Sequence, residues 1–176
     1  MSDVELDEEL EFGFSVPETE GPASPSVIAE RLMRFPEHKH LVEHEIRIAY
    51  LFRHEVKNSG GKVVLGSVHE PSCQGAMRPL FEWMIERLFG YRPDFLMILD
   101  RGFWVSVTAQ TREALVHHEL MHIQQKLDEY GEPRFNRVTG EPLYHLVAHD
   151  IEEFNETARR YGAWSPAISD FMEAVK

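Results

Sequence analysis

The stretch His118-Glu119-Leu120-Met121-His122 constrains this chain more than any other. It has the form His-Glu-x-x-His, and the chemistry that pattern implies requires a helix, where residues four apart project from one face. Two imidazoles so placed can share one zinc ion, and the glutamate between them can reach a water on that ion. Such a unit supplies hydroxide at neutral pH and polarises a carbonyl, which amide hydrolysis needs. A pattern this short also arises by chance, on a helix that merely carries two partly exposed histidines. Its surroundings have to decide.

Those surroundings are apolar. Ala114, Leu115, Leu120, Met121 and Ile123 flank the motif, and Glu119 is the one charged residue between Ala114 and Gln125. A carboxylate buried there is costly unless paired or beside a metal. Catalytic zinc takes three protein ligands and keeps one position open. A motif continued as Gly-x-x-His would need glycine and histidine where Gln125 and Asp128 stand. Asp128 could end an Asp-terminated variant, but the glycine that turns the chain back is missing. The block His149-Asp150-Ile151-Glu152-Glu153-Phe154 is the better source. His149, then Glu153, then Glu152 are the candidates for a third ligand, and a carboxylate left over could fix the tautomer of a liganding ring. Ordinary i,i+4 pairs on a polar helix face account for the same residues without a metal.

A rival pattern, His40-Leu41-Val42-Glu43-His44, has the inverted form His-x-x-Glu-His. It sits among Glu37, His38, Lys39, Glu45 and Arg47, which reads as a solvated surface. His117 should point about 100° away from His118 on a helix, toward the surface or behind the site. Tyr144 or His145 could donate to an oxyanion. Cys73 has no activating neighbour and reads as a packing or loop residue.

The 176 residues, 43% hydrophobic, suit one domain with a sizeable core. A formal charge of −12 argues against tight binding to a phosphate backbone. No apolar run reaches the roughly 18–20 residues that span a bilayer, and the acidic N-terminus lacks a secretory pattern, so a cytoplasmic location and no membrane partner are expected. A single cysteine excludes an internal disulfide and a thiolate zinc cluster. Any metal would be held by histidine and carboxylate.

Residues 1–24 carry eight acidic residues and no lysine or arginine, which predicts a disordered acidic tail before a domain over 25–176. Hydrophobic periodicity and turn residues then predict helices from Ser26 to Met33, Lys39 to Val56 and Pro79 to Phe89. Strands are expected over Lys62–Val68, Asp94–Leu99 and Phe103–Val107. The motif helix is expected from Arg112 to Leu127 with Thr111 as cap, and a last helix from Tyr144 to Tyr161. This is an α+β arrangement, a small three-stranded sheet packed on helices, with the motif helix and the C-terminal helix forming the metal site.

Several blocks resemble a known family. Ile48-Ala49-Tyr50-Leu51-Phe52-Arg53, Gly61-Lys62-Val63-Val64-Leu65-Gly66, Asp94-Phe95-Leu96, the run from Ala114 to His122 and His149-Asp150-Ile151-Glu152-Glu153-Phe154 occur in this order in the putative phage metallopeptidase family. The resemblance spans roughly residues 26–164. It implies a zincin-like fold, His118 and His122 as zinc ligands, Glu119 as general base and the His149 block as the source of the third ligand. The implied cofactor is one Zn²⁺, and the implied partner a peptide or protein substrate in a bacterial host cell. More distantly the chain is similar to SprT-like proteases, in which a histidine a few residues before a phenylalanine supplies the third ligand; that favours His149. Two other classes stay open: a non-catalytic zinc-binding protein that blocks a host factor through its acidic surface, and a DNA-associated SprT-like protease.

Overall fold

Two apolar hexapeptides far apart in sequence make the centre of the fold. The computed structural model describes residues 13–150, 155–163 and 165–176. In it β2 (Ile48–Arg53) pairs in parallel with β6 (Phe95–Asp100), Ile48 facing Phe95 and Arg53 facing Asp100. Both strands are buried along nearly their whole length. That is why they read as continuous apolar runs rather than as alternating ones. β1 (Phe14–Ser15) adds antiparallel to β2, and β5 (Gly66–His69) antiparallel to β6. The sheet is four-stranded and mixed, in the order β1-β2-β6-β5, where three strands were expected.

The difference begins at Lys39. A helix to Val56 was expected; α2 covers only Lys39–Glu43, and Glu45 at φ 52° turns the chain into β2. An apolar run of this length fits a helix or a buried strand equally well, and pairing with β6 decides. The expected strand Lys62–Val68 is two elements. β3 (Asn58–Ser59) and β4 (Lys62–Val63) form a hairpin whose turn, Gly60-Gly61, has φ of 56° and 77°. Such a turn needs positive φ at both central positions. After β4 the chain enters β5. Phe14 and Ser15, inside the stretch expected to be unstructured, pair with Arg53 and Phe52, while residues 1–12 lie outside the described residues.

α1 (Pro25–Leu32) and α3 (Arg78–Phe89) lie within two residues of their expected limits, and α3 stops at Gly90 with φ 75°. The expected strand Phe103–Val107 is α4 (Arg101–Ser106). Asp100 explains the change: its Oδ1 accepts from the Phe103 amide at 2.8 Å and caps the helix. The other Asp100 oxygen lies 3.6 Å from the Arg53 guanidinium, at the matched ends of β6 and β2, with both side chains over 90% buried. Arg53 also donates to the carbonyls of Glu55 and Val64. Removing one partner of such a pair strands the other charge. Asp100→Ala should therefore lower unfolding free energy by about 3 kcal/mol or more, and Asp100→Asn, which keeps an acceptor for Phe103, should recover about 1 kcal/mol of it. Denaturant melts that differ from wild type by less than about 1 kcal/mol would contradict the assignment.

α5 (Ala109–Met121) carries the motif. Thr108, not Thr111, is its cap, accepting from the Thr111 amide, so the helix begins earlier than expected. It also ends earlier, at His122. Ile123, fully buried, belongs to β7 (Ile123–Gln125), which pairs antiparallel with β8 (Tyr144–Leu146). The Gln124 side chain donates to the Met121 carbonyl at the helix end. The expected final helix thus does not begin at Tyr144. Val116 and Leu120 form the inward stripe of α5 and, with Ile123 just beyond it, join Ile28, Leu32, Met97 and Leu99 in one core. α5 packs on α1 on one side and on β5 on the other.

The chain divides into two units, Met1–Leu146 and Val147–Lys176. The second holds α6 (Asn155–Tyr161) and α7 (Pro166–Ala174), the latter with Ile168 buried. No helix of the described residues is long and apolar enough to cross a membrane.

Candidate metal centre

The inward stripe of α5 fixes where its polar residues go. His118 and His122 lie one turn apart, off the buried face. Their ring centroids are 5.1 Å apart with planes at 82°, and a ring nitrogen of each lies within 4.8 Å of the other. Donors around a tetrahedral ion sit roughly 3.4 Å apart, so modest ring rotation brings these two to ligand distance. His118 is exposed and His122 half-buried. Two imidazoles without a thiolate suit zinc, and equally other divalent ions of the borderline class.

Glu119 lies between that pair and the core. It is 3% exposed, and its Oε2 is buried with no hydrogen-bond partner among the described residues. Burial raises its carboxyl to about 7, with His122 nearby pulling the other way. The space it occupies exists because residue 66 on β5 is glycine. A Cβ there would fall 2.4 Å from Oε1 and 2.8 Å from Cδ of Glu119. A buried carboxylate whose Oε2 has no donor among the described residues, beside two imidazoles, fits a neighbouring cation and a proton-accepting role.

The remaining candidates separate. Asp128 is occupied: its Oδ1 accepts from the amides of Tyr130 and Glu132, closing the turn after β7. His149 lies in the second unit, in residues 147–150 without helix or strand, so the helix expected to carry it is absent at that point. Glu152 and Glu153 lie outside the described residues. In the rival motif, the His40 ring bonds the Ile123 carbonyl at 3.0 Å, the His44 ring meets the Gln125 side chain, and Glu43 pairs with Lys39. These histidines pin the β7–β8 hairpin and gather no metal cluster among the described residues. The Tyr144 hydroxyl donates to the His40 carbonyl and serves the same end. His117 turns to the opposite flank of α5, where it meets Glu37 and His38. The closeness of Gly66 to Glu119, and of Glu37 and His38 to His117, was not legible in the sequence, since no motif spacing marks it.

A mixed sheet, helices packed on it and a helix presenting two imidazoles around a buried glutamate place this chain in the class of small α+β proteins compatible with metal-dependent peptide hydrolysis. More narrowly, it belongs to the family described as putative phage metallopeptidase, which matches residues 20–176. No curated protein and no solved structure matches the chain.

Proposed function

We propose that this protein is a zinc metallopeptidase whose ion is held by His118, His122 and His149 and whose general base is Glu119. Glu119 carries the reading. A carboxylate 3% exposed, with an Oε2 that has no hydrogen-bond partner among the described residues, beside two imidazoles, is placed to take a proton from a water on the ion they would share. A zinc ion, when bound, supplies a water acidified enough to attack an amide and a positive charge for the carbonyl oxygen. Glu119 would take the proton of the attacking water on Oε2 and return it to the departing amine. β5, the sheet edge against which Glu119 rests, offers an extended peptide a strand to pair with, which would carry its backbone alongside that carboxylate. His149 enters as third ligand because Asp128 is committed to its turn and the His149 block is a marked part of the family resemblance.

The test is zinc content together with cleavage of an unstructured protein substrate. Cleavage should stop on chelation and return with zinc. His122→Ala should lose one zinc equivalent, and unchanged stoichiometry would count against the site. His149→Ala should weaken zinc by more than about 100-fold, beyond the usual cost of an outer-shell partner. Glu152→Gln and Glu153→Gln should stay within about tenfold of wild type. A large loss in either of them, with His149→Ala unaffected, would move the third ligand there.

A further inference from the structure

The other flank of α5 carries a second donor cluster that the proposed peptidase does not use. His117 lies about 100° around the helix from His118. Its Nε2 is 3.1 Å from Glu37 Oε1. The His38 ring meets it edge-on, with centroids 4.8 Å apart. One donor atom from each of Glu37, His38 and His117 lies within 4.8 Å of the other two.

His38 is the telling residue. It ends the short 3₁₀ turn Pro36–His38 and is completely buried, yet neither ring nitrogen has a hydrogen-bond partner among the described residues. A neutral imidazole has one donor and one acceptor, and leaving both unsatisfied in the interior is costly. Packing alone would have favoured an apolar side chain here. The groups within reach of the ring are a second imidazole and a carboxylate, the donor types of a borderline divalent cation. Glu37 and His117 have side chains 41% and 35% exposed, which leaves a path for an ion to enter and room for water to complete its shell.

We propose that Glu37, His38 and His117 form a second divalent-cation site, which ties the Pro36–His38 turn to the motif helix and takes water as its remaining ligand. An ion there holds α5 from the flank opposite Glu119 and steadies the helix on which His118 and His122 ride. The two sites share no ligand, so the second does not depend on the peptidase reading.

Zinc counted by elemental analysis on the full chain, with cobalt absorption as a coordination readout, tests it. Wild type should hold two ions at saturation. Glu37→Gln and His117→Gln, both at partly exposed side chains, should each hold one ion fewer. His122→Ala should also lose one, and His117→Gln combined with His122→Ala should hold none. In His122→Ala, zinc should still raise the thermal midpoint, and adding His117→Gln should abolish that rise. Equal zinc content in wild type, Glu37→Gln and His117→Gln would overturn the proposal, whatever His122→Ala does. A single wild-type ion lost in His117→Gln but kept in His122→Ala would support this site and refute the other.

Discussion

Glu119→Gln is expected to keep its zinc and to lose peptide hydrolysis by roughly 10²- to 10⁴-fold, the usual contribution of a positioned general base. The amide matches the carboxylate in size and fits the same pocket against Gly66, but it cannot accept a proton. Stability should move the other way. Burial raises the folded-state value of Glu119 from 4.5 to about 7, so the folded chain holds this proton at pH values where the unfolded chain has released it. The neutral side chain is tolerated fully below pH 4.5, and that advantage is lost as pH rises to 7. In zinc-free protein the glutamine variant should therefore gain on wild type across that interval, by at most about 3 kcal/mol. Melting both proteins at pH 4 and pH 8 reads the effect. Undiminished hydrolysis would sink the base assignment, and an unchanged stability gap would sink the account of its burial.

Gly66→Ala should leave the fold nearly intact and cripple the chemistry. The added methyl would sit 2.4 Å from Oε1 and 2.9 Å from Cγ of Glu119, so one of them must move. The strand is held by its ladder to β6, Gly66 facing Leu99, whereas the carboxylate is the free end of a flexible side chain. Glu119 is what gives way. A displacement of about 1 Å in a reacting group costs on the order of 10²-fold in rate. The expected result is a fall in kcat of that order with zinc content unchanged. Near-wild-type turnover would show that Glu119 does not work from the position it occupies here.

The motif helix was legible because its evidence is local. Two histidines four apart and an apolar setting require a helix whose one face carries both rings, and α5 supplies it. Its ends were not legible. The sequence carries the motif helix on to Leu127, yet it stops at His122 because Ile123 is claimed by the core and by β8. The hexapeptide Ile48–Arg53 is a strand where a helix is expected, for a related reason. Its partner lies more than forty residues away, and no local signal separates a buried strand from a buried helix. The aromatic and β-branched residues of Phe103–Val107 favour a strand on composition, yet the Asp100 cap makes the segment helical.

The sequence by itself determined the pairing of His118 with His122, the presence of one acidic group between them and that one cysteine cannot build a thiolate zinc cluster, since these follow from residue type and helical repeat. Tertiary structure alone decided that Glu119 would be buried against Gly66, that His40 and His44 would serve a hairpin, and that His38 would meet Glu37 and His117. Those outcomes depend on which distant segments share the core. Burial, and with it the proton affinity of a carboxylate or the isolation of an imidazole, is a property of the packed neighbours rather than of the residue that bears it.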